Sequence, residues 1–327
     1  WILIDEYQDF SYLFYHLLSA IRTYNTELKL FCVGDDWQAI NSFAGSDLTY
    51  FREFTNFIKP AEICNLVTNF RSEKEIISIG NSLMQGRGNP SKNLPEKSNG
   101  KIIFRYVDDI WIEQRNEDDF LDNKKEDECF LISKNQELNN KYRLLASKYV
   151  KICYEIFEEQ KETYQTFAIL DRTNFIDGIG LSQFRQNLIN CISKKCNCPF
   201  DEISRRIIVR TVHSFRGLEA DVVIILEANN HSFPLIHPDN SLFWFFGSTM
   251  HEIIEEERRL FYVGLTRAKS IIYLISERGN ESDFFSEINK NDTTITGFSN
   301  LAKKVNYRNY ERDYPNGSIG YSIEKDD

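Results

Sequence analysis

No stretch of this 327-residue sequence is long and apolar enough to span a bilayer, and its first residues lack the pattern of a secretory signal. A helical membrane protein or an exported one is not the expectation. Paired C-x-x-C knuckles are missing as well. The seven cysteines (Cys32, Cys64, Cys129, Cys153, Cys191, Cys196 and Cys198) are odd in number and scattered, and the last three lack the spacing of a structural zinc site. Free thiols in a reducing cytoplasm are expected. Positive charge is not in surplus: 39 basic against 49 acidic residues leave a formal −10, which argues against a generally basic coat while leaving room for a local cationic groove. Finally, the phosphate loop G-x-x-x-x-G-K-[ST] occurs nowhere, so these residues cannot cradle a nucleotide's β and γ phosphates in the usual way.

Short β-branched or aromatic runs do alternate with longer amphipathic stretches, the rhythm of a parallel sheet covered by helices. Strands are expected at Ile2 to Ile4, Leu30 to Val33, Ile102 to Tyr106, Phe167 to Leu170, Ile207 to Thr211, Val222 to Leu226 and Ile271 to Ile275. Several end in a polar residue: Asp5 after the first, Gly34-Asp35 after the second, Thr211 and His213 after the fifth. Ligands of open α/β sheets bind at the carboxyl ends of strands, so these positions mark the active edge. Ser72-Glu73-Lys74-Glu75 has the form of a capping box opening a helix with Ile76, Ile79, Leu83 and Met84 at helical spacing. Gly86 to Gly100 reads as a surface connection. The charged stretch Asp108 to Gln165 reads as an amphipathic helical insertion, with Leu145, Tyr149, Cys153 and Ile156 at helical intervals. Beyond Glu287 the chain is polar, with Tyr307, Tyr310 and Tyr314 set among charges.

Five separated segments carry the chemistry. Asp5-Glu6, with Gln8, puts adjacent carboxylates where a buried strand runs out, so one can hold magnesium and the other polarise a water. Gly34-Asp35-Asp36-Trp37-Gln38 runs on to Phe43-Ala44-Gly45. Asn69-Phe70-Arg71-Ser72 is the third segment, Thr211-Val212-His213-Ser214-Phe215-Arg216-Gly217-Leu218-Glu219 the fourth, and Glu256-Glu257-Arg258-Arg259 through Leu265-Thr266-Arg267-Ala268-Lys269 the fifth. Taken singly, each has an ordinary structural reading: a strand end for Asp5-Glu6, core aromatics for Phe43 and Phe70, a satisfied histidine for His213, helix-surface ion pairs for Arg258 and Arg259. Their joint order is what is specific.

In that order the chain resembles the UvrD/Rep-like branch of superfamily-one DNA helicases, from Trp1 to about Ile275. The resemblance implies an α/β fold of RecA-like motor domains, parallel sheets flanked by helices. Residues 1–66 would belong to the first motor domain, 67–285 to the second with an insertion near 107–165, and 286–327 to a tail. It implies ATP and Mg2+ as cofactors, with Asp5 on the metal, Glu6 acting on the hydrolytic water, Gln38 sensing the γ-phosphate, Phe70 on the adenine, Glu219 on the sugar, and Arg71 and Arg267 as arginine fingers. Phe43, Thr211 and His213 would face single-stranded or partial-duplex DNA, with 3′ to 5′ movement. Arg216 stands where many relatives carry Lys, and Asn41 and Ala44 where a Tyr and an Arg are common. The resemblance also implies that the phosphate-loop half of the motor lies upstream of Trp1. A non-catalytic module that binds nucleic acid or a partner is the rival expectation.

Overall fold

In the computed structural model, residues 1–95, 100–111, 140–176, 178–236, 249–288 and 295–296 are described. Strands β1 (Ile2–Ile4) and β2 (Leu30–Cys32) pair in parallel, Leu3 against Phe31. A parallel pair needs a crossover. Here it is helix α1 (Tyr12–Tyr24), capped by the Ser11 hydroxyl, which accepts from the Phe14 amide at 3.4 Å. The short helices α2 (Thr49–Arg52) and α3 (Phe54–Phe57) follow, and Tyr7, Phe10, Leu18, Tyr50 and Ile58 form a small core among these elements. Much of the unit's apolar surface stays in solvent: Trp1, Leu3 and Phe31 are exposed, as are Leu13 and Leu17 of α1.

The larger unit begins with β3 (Thr68–Asn69), α4 (Lys74–Leu83), β4 (Lys92–Asn93) and β5 (Lys101–Tyr106). It continues through α5 (Asn140–Gln160), β6 (Phe167–Asp171), the hairpin β7 (Phe175–Ile176) and β8 (Ile179–Gly180), α6 (Leu181–Cys196) and α7 (Phe200–Arg206). Then come β9 (Ile207–Thr211), β10 (Ala220–Ile225), α8 (Met250–Leu265), β11 (Ala268–Ser276) and β12 (Ile295–Thr296). Six strands form one all-parallel sheet in the order β12-β5-β11-β10-β6-β9.

Strand alternation sorts the core into two layers. Val223 and Ile225 of β10 and Ile272 and Leu274 of β11 pack with Ile76, Ile79 and Leu83 of α4 and with Leu260 and Phe261 of α8. The intervening Val222 and Ile224, with Ile271, Tyr273 and Ile275, pack with Tyr149, Cys153 and Ile156 of α5 and with Phe184 and Leu188 of α6. Strands buried on both faces read as continuous apolar runs because helices cover both sides. This is the expected parallel α/β architecture. Among the described residues no helix is long and apolar enough to cross a membrane.

Each expected strand is present, but the expected capping box is not. The N-cap of α4 is Glu73, whose side chain caps nothing. Ser72 Oγ donates instead to Ala268 O at 2.7 Å, and Glu75 Oε2 accepts from Gly100 N at 2.8 Å. Tertiary partners took both groups that would have closed the box. A true capping box opens α8, between Thr249 and Glu252. Residues 112–139 of the charged stretch, and Tyr307, Tyr310 and Tyr314, lie outside the described residues.

Candidate active site

Where β1 ends, Glu6 turns the chain with φ 53 and ψ 42, a left-handed conformation uncommon for any residue with a side chain beyond Asn or Asp. The turn is held by Tyr7 N donating to Val33 O at 2.8 Å and by Glu6 N donating to Asp5 Oδ1 at 2.9 Å. Gln8, 1% exposed, ties the first segment to the second: its Nε2 donates to Glu6 Oε2 at 2.5 Å and its Oε1 accepts from Asp35 N at 3.0 Å. This approach explains the glycine at 34, where a Cβ would lie 2.6 Å from Gln8 Oε1 and 2.8 Å from the Phe51 ring. Asp35 then caps its own turn, accepting from Trp37 N at 3.0 Å and from Gln38 Nε2 at 2.8 Å.

The fifth segment meets Gln38 directly, Arg267 Nη2 donating to Gln38 Oε1 at 3.1 Å. Arg267 is 1% exposed and also donates to Val263 O at 3.1 Å. Burial, with the Arg71 charge beside it, brings Arg267 down to about 10, still cationic at neutral pH. Asn69 Oδ1 accepts from both the Arg71 and Ser72 amides, at 2.9 and 3.0 Å, which sets the direction of Arg71. Arg71 Nε then donates to Glu219 Oε2 at 2.9 Å, and Lys269 Nζ pairs with Glu219 Oε1 at the same distance. The two cations, Lys269 foremost, hold the Glu219 carboxyl below the usual range. Phe70, just before Arg71, is 71% exposed.

Arg216 joins the first and fourth segments, donating to Glu6 Oε2 at 2.5 Å and to Asp9 Oδ2 at 2.6 Å, while Asn41 Nδ2 donates to the same Asp9 oxygen at 2.9 Å. Burial alone would raise Glu6. The hydrogen bonds from Arg216 and Gln8 and the charges of Arg216 and Arg267 outweigh it and keep the carboxyl lowered. A separate cluster joins Phe43, 79% exposed, to His213, their rings edge to face at 6.0 Å. Burial and the Arg172 charge push His213 down to about 4, so it is neutral at physiological pH. The Thr211 hydroxyl is used within its own loop, donating to Ser214 Oγ at 2.9 Å and accepting from Ser214 N at 3.2 Å.

One edge of α8 runs along the second segment in reverse. Glu256 accepts from Ser42 N at 3.0 Å and from Ser42 Oγ, Arg259 Nε donates to Ala39 O at 2.6 Å, and Tyr262 packs edge-on to Trp37 at 5.2 Å. The sequence brings Gln8 and Glu256 into the segments without a role for either and gives none to Asp9, and it assigns Arg258 and Arg259 to a helix surface and its ion pairs. Arg258 is in fact 2% exposed, beneath the Phe284 ring and paired with Glu255 and Glu287. The three-residue spacing of Glu256, Arg259 and Tyr262 was the available signal for a second face on this helix.

Asp5 and Glu6 offer the hard oxygen donors that magnesium prefers. Among the described residues no cluster of three or more His, Cys, Asp or Glu encloses a metal. A carboxylate pair suits an ion that takes its remaining ligands from water and phosphate.

A family model described as the UvrD/REP helicase N-terminal domain matches residues 1–59, and one described as the UvrD-like helicase C-terminal domain matches residues 181–279. DNA helicase IV of Escherichia coli (strain K12) is 28% identical over 295 residues, 89% of this chain and 35% of that protein. A probable DNA helicase of Mycoplasma pneumoniae is 24% identical over 279 residues, 84% of this chain and 43% of that one. ATP-dependent DNA helicase Rep of Buchnera aphidicola is 26% identical over 314 residues, 93% of this chain and 39% of that one. The chain thus spans less than half the length of these relatives.

Proposed function

We infer, for a chain that is UvrD/Rep-like in both matched segments, the working part of an ATP-dependent 3′ to 5′ DNA helicase or translocase. The observation that carries this reading is one hydrogen-bonded path, Glu6 to Gln8 to Asp35 to Gln38 to Arg267, with Arg216 closing onto Glu6 from the fourth segment. Side chains this far apart in sequence meet where an ATP-hydrolysing site would have to lie. Residues 1–66 would be the end of the first motor domain, 67–285 the second with its insertion near 107–165, and 286–327 a tail. The phosphate loop and the rest of the first motor domain would come from sequence outside residues 1–327. The exposed Trp1, Leu3 and Phe31 are the surface such a segment would cover.

Magnesium held at Asp5 would polarise the attacking water and neutralise phosphate charge. Glu6, ionised at neutral pH like any ordinary carboxyl, would take the proton from that water once Arg216 releases it. Arg71 and Arg267, planar and permanently charged, would stabilise the transferring phosphoryl oxygens, a role worth roughly 10³ to 10⁵ in rate. Gln38, bonded to Arg267, would transmit the state of the γ-phosphate to the turn that carries Phe43. Phe70 would stack on the adenine and Glu219 would hold the sugar. Phe43 would stack on bases of single-stranded DNA, with Thr211 and His213 along the backbone.

The test is the ATPase rate with and without single-stranded DNA, on this chain and on a version extended upstream through a phosphate loop, with Glu6→Gln as control. DNA-stimulated turnover in the extended protein, abolished by Glu6→Gln, is expected. DNA binding without turnover in either would replace the reading with a non-catalytic binding module.

A further inference from the structure

Phe43 sits on a single 3-10 turn, Ser42–Ala44, that makes little provision for itself. Its N-cap, Asn41, makes no capping bond from its side chain, which is spent instead on Asp9, and Gly45 ends it at φ 85. The donors at the start of such a turn need acceptors. They find them 214 positions away on α8, where Glu256 takes both the amide and the hydroxyl of Ser42. The same helix edge holds Ala39 through Arg259 and Trp37 through Tyr262, and Arg267 just past its end reaches Gln38.

We propose that Glu256 is a positioning residue: its carboxylate fixes the Ser42–Ala44 turn on α8 and so presents the Phe43 ring to a single-stranded nucleic acid. The proposal rests on the reading of Phe43 as a base-stacking residue, and extends it to the group that aims the ring and links it to the Arg267 end of the site. The sign of the effect separates this role from simple charge. Deleting a carboxylate beside a polyanion should by itself tighten binding. Losing the anchor of the stacking ring should weaken it.

The experiment is fluorescence anisotropy of a labelled oligothymidine on the full chain, with Phe43→Ala, Glu256→Ala, Glu256→Gln and the double variant Phe43→Ala/Glu256→Ala. Amide hydrogen exchange of residues 41–45 is measured in parallel. Phe43→Ala is expected to weaken binding roughly 5- to 150-fold. Glu256→Ala should weaken it about 3- to 10-fold, Glu256→Gln by less, and neither should add to Phe43→Ala. Exchange at 41–45 should quicken in Glu256→Ala while β10 and β11 keep their protection. The pair lies at the surface, so the core is left intact. Tighter binding by Glu256→Ala, an equal loss with and without Phe43, or unchanged exchange at 41–45 would each overturn the proposal. If Phe43→Ala leaves binding unchanged, the base-stacking reading falls, and the exchange data alone decide whether Glu256 holds the turn.

Discussion

Replacing Arg216 by alanine removes the guanidinium that bridges Glu6 and Asp9, and the cost can be worked from exposure. Arg216 is 11% exposed, Asp9 25% and Glu6 50% along their side chains. A hydrogen bond to a charged group contributes about 1.5–3 kcal/mol when largely buried, whereas a half-exposed ion pair contributes about 0–1. Asp9 therefore carries most of the effect, more so because its Oδ1 is buried without a hydrogen-bond partner and leans on Oδ2 to offset its desolvation. A total near 2 kcal/mol follows, which lowers the melting temperature of a protein this size by about 3 °C. The pH dependence has a definite sign. Glu6 is lowered in the folded state, so its contribution is full above the unfolded carboxyl range near 4.3 and is lost as pH falls through the lower folded value. Thermal unfolding followed by circular dichroism should show the full gap between wild type and Arg216→Ala at pH 7 and a narrower one below about pH 4. A gap under about 1 °C at pH 7, or one that does not narrow in acid, would refute the reasoning.

Gly34→Ala forces a methyl into Gln8 and the Phe51 ring, and should cost about 1–3 kcal/mol in urea unfolding; no change in midpoint would mean that the first two segments separate freely. Arg258→Ala strips the cation from between Glu255 and Glu287, and a loss of about 3–5 kcal/mol is expected by the same measurement. His213 should titrate near pH 4 by NMR rather than near 6.5; because its folded value is lowered, the stability it confers is full above about 6.5 and falls away as pH drops toward 4. A His213 resonance titrating near 6.5 would show that the ring is solvated and unaffected by Arg172.

Hydrophobic periodicity and strand-end chemistry made the sheet legible in the sequence, because a strand buried on both faces must be apolar throughout and a helix covering it must be apolar every third or fourth residue. Val222 to Ile225 and Ile271 to Ile275 could hardly be anything else. The chemical segments were legible only through their joint order, since each taken singly has an ordinary structural reading such as an exposed strand end. Local pattern failed where a side chain had a better partner far away. Ser72 and Glu75 have the form of a capping box, yet Ala268 O and Gly100 N claimed them. Arg258 looks like a surface residue of α8 until Glu287 and Phe284 enclose it. The pairs that unite the site, Arg216 with Glu6 and Asp9, Arg267 with Gln38 and Glu256 with Ser42, each join residues more than 200 positions apart. The sequence by itself determined which groups are present and that several of them border strands, whereas the structure divides those strands between two parallel sheets. Only the tertiary structure decided which group satisfies which, since a buried donor or acceptor takes whichever partner the packing brings within about 3 Å.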